Sequence, residues 1–300
     1  MRKYYHVNSF TSQPLKGNPA GVVFNTEQLT TEDMQGIARD LNLPETVFIL
    51  PGKSEKSICS LRWFTPSFEI SLSGHSTLAA LHVLIKERVI HVVDGFVSHH
   101  HLDYQKGILP VSIENGQGLN PIIWIGLPVP SFKPYGGPQE DIFRFLGITD
   151  NDIDSRLPIY ITDSRVFMIP VLGLLTLKKI LPNFGQLRKI LIDENISGVC
   201  TFSRETIKPS SSFHSRYFSP NLGINEDPVT GTTNAALAAY WLNFVFPGLE
   251  NRSYQFTGEQ GSAINRDGEV HIKADVRDRS ISRLEISGSA RIFMQGYLEI

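Results

Sequence analysis

Residues 74–89 read GHSTLAALHVLIKERV, and residues 231–246 read GTTNAALAAYWLNFVF. Each opens on glycine and then runs through small and apolar residues with no further glycine or proline. In the first, Leu78, Leu81, Leu84 and Ile85 recur at helical spacing, and Ala79 and Ala80 fill the gaps. A helix that is apolar on nearly all sides is a buried one. The approaches to the two stretches are alike as well. Phe64-Thr65-Pro66 leads to Gly74, and Phe218-Ser219-Pro220 leads to Gly231. Glu69 lies in the first approach, and Glu226 with Asp227 in the second. The two glycines stand about half the chain apart. The pattern predicts two halves of one plan, each built round a buried helix.

Outward from these helices the chain is rich in short β-like runs. They are 4–10, 20–24, 46–50, 57–64, 107–113, 122–127, 199–203, 270–273 and 292–298. A further helix is expected over 32–41, capped by Thr30 or Thr31 and ended by Pro44. Residues 258–261 read as a loop. Strands in this number round one buried helix predict a sheet curled about it, hence an α+β fold. The Gly- and Asn-rich stretch Asn115-Gly116-Gln117-Gly118-Leu119-Asn120 is the expected linker.

Composition narrows the class. The chain has 300 residues, 41% hydrophobic and 19% charged, as a globular protein does. A net charge of −2 gives no reason to expect nucleic acid or an anionic membrane as partner. Two cysteines, Cys59 and Cys200, make neither a disulfide framework nor a zinc site. The start, MRKYYHVNSF, lacks the apolar core of a signal peptide, and the greasiest stretch, 167–177, is interrupted by Pro170 and Gly173. A cytoplasmic location is therefore expected.

The chemistry-bearing candidates cluster at the helix starts. Ser73-Gly74-His75-Ser76 and Thr230-Gly231-Thr232-Thr233 would present unpaired backbone N–H groups and the positive end of a helix dipole. Either turn suits an anion, and either is also an ordinary N-cap. Glu45 follows Pro44 at the mouth of an apolar strand. Desolvation there would raise its pKa toward the range useful for proton transfer; a solvated strand end is the other reading. His75, in a first helical turn, is expected to be neutral, and serves equally as a structural histidine. Asp227 either faces a cleft or complements a helix dipole. The run His99-His100-His101 alternates in direction on an extended segment and has no partner at metal-ligand spacing. No dinucleotide fingerprint, P-loop or G-x-S-x-G elbow is present.

Several segments agree in order and spacing with one family. They are Asn8-Ser9-Phe10-Thr11, Gly17-Asn18-Pro19-Ala20, Pro44-Glu45-Thr46-Val47-Phe48, Leu61-Arg62-Trp63-Phe64-Thr65-Pro66 and Gly74-His75-Ser76-Thr77. Arg216-Tyr217-Phe218-Ser219-Pro220 and Glu226-Asp227-Pro228-Val229-Thr230-Gly231-Thr232 complete the set. Together they resemble the PhzF-like phenazine-biosynthesis family. The resemblance implies the diaminopimelate-epimerase fold, two similar halves, each a curved, mostly antiparallel sheet round a central helix, with the active site between them. It places an N-terminal domain at residues 1–118 plus about 284–300 and a C-terminal domain at 119–283. It implies a cofactor-independent isomerase without metal, acting on a small cyclic or conjugated carboxylic acid, and a homodimer. The catalytic glutamate falls on Glu45, its assistants on His75 and Asp227, and a hydroxyl residue on Thr232. Asn18, Ser73, Gly74, Ser76, Thr230 and Gly231 are the expected substrate-binding residues.

The departures bear on the reaction. The epimerases of this fold carry a cysteine at each helix start, where this chain has Ser73 and Thr230. A racemase needs a base on each face, and neutral hydroxyls are poor bases. One carboxylate can instead move a proton between two carbons on the same face. Isomerisation is therefore expected; a racemase or epimerase of the same fold, or a binding protein on this scaffold, are the alternatives.

Overall fold

The computed structural model describes residues 1–114, 121–246 and 248–300. It divides into two compact units, Met1–Leu127 with Glu285–Ile300, and Pro128–Leu284. The expected linker at Asn115–Asn120 lies outside the described residues.

In the first unit, strand Arg2–Ser9 lies between the terminal strand Ala290–Leu298 and Asn18–Val23, antiparallel to both. Asn18–Val23 runs parallel to Glu45–Pro51, which pairs antiparallel with Ser57–Phe64. Ser57–Phe64 runs parallel to Val97–Tyr104, and Gly107–Glu114 and Ile122–Leu127 follow antiparallel. The helix Gly74–Lys86 packs on Arg2–Ser9, Asn18–Val23 and Glu45–Pro51, and also on Ala290–Leu298 and Ile122–Leu127. The last two stand far apart in the strand order, so the sheet curls round the helix. Every residue from Gly74 to Leu81 is buried, with Val83 and Leu84. Burial of each of these leucines stabilises the fold by roughly 1.5–3 kcal/mol.

The outer face of this sheet is covered by the helix Thr31–Leu41. Its N-terminus is a capping box. Thr30 Oγ1 accepts from the Asp33 N–H at 3.1 Å, and Asp33 accepts from the Thr30 N–H at 2.9 Å. Met34 and Ala38 pack on Tyr4, Phe48 and Phe64. Asn42 closes the helix in the left-handed conformation, φ 48°. Pro44 bars a further turn, and the chain enters the buried strand at Glu45.

The second unit repeats the pairing pattern. Val166–Pro170 is parallel to Gly198–Ser203, which is antiparallel to Phe213–Ser219. Phe213–Ser219 is parallel to Ser253–Gln260, which is antiparallel to Gly268–Arg277. The first unit shows the same alternation from Asn18–Val23 to Gly107–Glu114. The helix Gly231–Tyr240 packs on Phe213–Ser219 and Gly268–Arg277. Helices Gln139–Leu146, Leu174–Lys179 and Phe184–Asp193 cover the other face, where Phe167, Ile169, Val199 and Phe218 meet Ile142, Phe143 and Leu187. Val166–Pro170 and Gly198–Ser203 are buried at every residue, as strands covered on both faces are.

The α+β class with two similar halves thus stands, and some boundaries move. The helix expected over 231–246 is α-helical only to Tyr240 and then widens into a π-turn over Trp241–Val245. There the rings of Tyr240, Trp241 and Phe244 pack among Phe132, Tyr160, Phe202 and Phe213, and the wider turn accommodates them. The stretch 258–261, read as a loop, mostly belongs to strand Ser253–Gln260. Its glycines mimic loop composition, but Gly258 serves close packing. A Cβ there would stand 2.1 Å from Asn234 Oδ1 and 2.4 Å from the Phe213 ring. Among the described residues no helix is long and apolar enough to cross a membrane.

Candidate active site

Glu45 opens its strand opposite Ala20 and is 8% exposed, so the carboxyl is buried rather than solvated. The first turn of the helix Gly74–Lys86 comes to it. Ser76 Oγ donates to Glu45 Oε2 at 2.7 Å, and His75 Nε2 stands 3.6 Å from the same oxygen. The helix start is itself tied down. Ser73 is the N-cap, its Oγ accepting from the Ser76 N–H at 3.4 Å and lying 3.4 Å from His75 Nδ1. The Thr77 hydroxyl donates to the Ser73 carbonyl, and Ser9 Oγ donates to the His75 carbonyl at 2.7 Å. Asn18 is fully buried beside Ser9, one residue after Gly17 at φ +70°. A Cβ on Gly17 would stand 2.3 Å from the Ser9 carbonyl oxygen, so only glycine permits this bend.

This unit therefore gathers Glu45, Ser73, Gly74, His75 and Ser76 at one helix start. The positive end of the helix favours the ionised carboxylate, while burial opposes it. A carboxyl so placed can accept and return a proton. The imidazole 3.6 Å away can donate to or accept from a bound molecule at short range.

The second unit assembles a related turn. Thr230 takes the N-cap position of the helix Gly231–Tyr240, yet its hydroxyl donates to the Asp227 carboxylate. Gln260 performs the capping. Its Oε1 accepts from the Thr230 N–H at 3.1 Å and from Asn234 Nδ2 at 2.9 Å. Its Nε2 donates to the Asp227 carbonyl at 2.8 Å and to Thr230 Oγ1 at 3.2 Å. Asp227 is buried, Gly231 is buried, and Thr230 and Thr232 are half-buried. Asp227, Thr230, Gly231 and Thr232 are thus brought together in this unit. Gln260, Asn234 and Ser9 are the residues that sequence reasoning missed. The signal for Asn234 was Gly258, whose missing side chain leaves room for it.

The remaining candidates fall outside these turns. Cys59 and Cys200 are free and buried. Burial pushes the Cys59 thiol up to about 12 and raises Cys200 as well, so neither is poised for acid–base work. His99 and His101 are exposed on one face of strand Val97–Tyr104, while His100 turns to Ser98 Oγ at 2.9 Å. Among the described residues no group of three or more His, Cys, Asp or Glu side chains is placed to hold a metal ion.

A family model described as phenazine biosynthesis-like protein matches residues 7–296. The chain belongs to the phenazine biosynthesis-like family. An uncharacterized isomerase of Bacillus subtilis, YfhB, is 35% identical over 96% of this chain and 92% of its own. The crystal structure of a PhzF-family phenazine biosynthesis protein from Bacillus anthracis superposes with a TM-score of 0.88 at 28% identity, covering 100% of both chains. A probable proline racemase from Agrobacterium radiobacter superposes at a TM-score of 0.68 with 9% identity, covering 100% of this chain and 93% of its own. That likeness shows the fold alone, which is that of the epimerases and racemases. Membership of a family whose curated members are named isomerases supports isomerase activity for this phenazine biosynthesis-like protein.

Proposed function

We propose that this protein is a cofactor-independent isomerase that moves a proton within a small cyclic or conjugated carboxylic acid, with Glu45 as the base and then the acid. The observation that carries the reading is the buried Glu45 carboxyl, held 2.7 Å from Ser76 Oγ and 3.6 Å from His75 Nε2. The Glu45 carboxyl serves one face of a substrate. His75 and Asp227 orient the substrate and relay protons, and the Thr232 hydroxyl assists. The family resemblance assigns carboxylate binding to Asn18, Ser73, Gly74, Ser76, Thr230 and Gly231, where a helix start offers N–H groups. No metal or cofactor enters the scheme. The cytoplasmic assignment rests on composition, and the homodimer on the family resemblance.

Stereo-inversion is the weaker reading. It needs a second base, and the Thr230 hydroxyl, which donates to Asp227, is a poor one. The test is exchange in D₂O with cyclic dienoic amino acids, followed by mass spectrometry and NMR. Deuterium should enter a ring carbon, and Glu45→Gln should slow uptake by about 10²–10⁴. Undiminished uptake in Glu45→Gln, or inversion at an α-carbon, would overturn the proposal.

A further inference from the structure

The second unit holds a hydrogen-bonded serine, histidine and glutamate that proton transfer at Glu45 does not use. The parallel pairing of Phe213–Ser219 with Ser253–Gln260 sets His214 opposite Glu259. Glu259 Oε1 lies 3.0 Å from His214 Nδ1. The same carboxylate accepts from the N–H groups of Ile207 and Lys208, the latter at 3.2 Å. Burial raises this carboxyl's pKa, but His214 and the two backbone donors outweigh it and hold it below the usual range. An ionised Glu259 fixes the Nδ1–H tautomer of a neutral imidazole and leaves Nε2 with a lone pair. His214 Nε2 stands 3.1 Å from Ser262 Oγ.

The backbone places the serine. Ser262 begins a 3₁₀ turn, Ser262–Ile264, directly after Gly261 at φ +92°. A Cβ on Gly261 would stand 2.4 Å from the Arg266 carbonyl oxygen and 2.7 Å from that of Pro228. Only glycine allows this bend, which carries Ser262 back over His214. His214 and Glu259 are buried, whereas Ser262 is half-exposed, the order of access that a nucleophile and its base require. Neighbouring residues on a strand point to opposite faces. Gln260 turns to Asp227 and Thr230, so Glu259 and His214 lie on the face away from the start of the helix Gly231–Tyr240.

We propose that Ser262, His214 and Glu259 form a second catalytic site, which takes the acyl group of a small activated ester. Ser262 Oγ attacks the carbonyl carbon as its proton passes to His214 Nε2. The carbon–oxygen bond to the leaving group breaks, and the alcohol departs with that proton. Water, deprotonated by the same nitrogen, then attacks the acyl carbon; the bond from that carbon to Ser262 Oγ breaks, the proton returns from His214 to Oγ, and the acid leaves. The chemistry follows the general serine–histidine–carboxylate logic, in which the carboxylate orients the imidazole.

The test is a fluorophosphonate, read by intact mass and peptide mapping of the full chain. The Oγ–P bond forms, P–F breaks, and fluoride leaves as the serine proton goes to His214. One phosphonyl group should appear on Ser262, and none there in Ser262→Ala. His214→Gln and Glu259→Gln should each slow labelling at least about tenfold. Should His214→Gln fail to fold, Glu259→Gln alone decides, because its amide can still accept from Nδ1–H. Absence of label at Ser262, or equal rates in the wild type and the folded variants, would overturn the proposal.

Discussion

Pro44 and the left-handed Asn42 act on Glu45 through the backbone. They stop one helix and deliver the glutamate into a strand whose next residues, Thr46, Val47 and Phe48, are buried. A similar transfer of burial to a titratable group occurs at His82, in the middle of the first central helix. The side chain is half-buried, but Nε2 is sealed from solvent and has no hydrogen-bond partner. Burial lowers its pKa to about 4, and a hydrogen bond with the Gly288 backbone offsets only part of that. The folded protein therefore refuses a proton that the unfolded chain takes up below about pH 6.5. This group's stabilisation is complete above pH 6.5 and is lost as pH falls from 6.5 toward 4. The loss should be on the order of 1–3 kcal/mol across that window. Urea unfolding at pH 7.5 and pH 5 checks this. His82→Gln should flatten the difference between the two midpoints.

At the scale of elements, the two halves share a clamp that spans strand and hairpin. Arg62 Nε and Nη2 donate to Glu69 at 2.8 and 2.7 Å, and Arg62 lies 5.1 Å over the Phe64 ring. Arg216 Nε and Nη2 donate to Glu226 at 2.8 Å each, and Arg216 lies 5.0 Å over Phe218. Each clamp pins the hairpin that leads to a central helix start. The environments differ. The Arg62 and Glu69 side chains are each 28% exposed, whereas those of Arg216 and Glu226 are 7% and 9%. Arg216 Nη1 also donates to the carbonyls of Leu177 and Ile180, at 2.6 and 2.9 Å. Removing one partner of a buried pair strands a charge, at a cost of about 3–5 kcal/mol, while an exposed pair contributes at most about 1 kcal/mol. Arg216→Met should therefore lower the denaturation midpoint well beyond Arg62→Met, as denaturant titration will measure. The repeat was legible in the sequence as Phe64-Thr65-Pro66 and Phe218-Ser219-Pro220, each followed by an acidic residue, and so were the central helices; the arginines of the clamp were not part of that reading. Local composition and spacing alone set those features. The Gln260 cap was not legible, because it joins groups 30 residues apart and its strand carries loop-like glycines.

For the whole molecule, the terminal strand matters most. Ala290–Leu298 pairs along the full length of Arg2–Ser9 and packs on the first central helix. Its loss would leave Arg2–Ser9 with an open edge and remove a wall from the buried helix. Deleting residues 290–300 should abolish slow amide exchange over residues 2–9, and hydrogen exchange read by mass spectrometry tests this. Protection persisting there would show the first unit complete without its last strand. Periodicity, small residues and proline stops are local properties, and from them the sequence determined two buried helices, about half of the strands and the doubled plan. Only the tertiary structure decided which side chains meet. Ser76 reaches Glu45, Gln260 reaches Thr230 and His214 reaches Glu259, because hydrogen-bonded register between distant strands fixes those encounters and no local pattern records it.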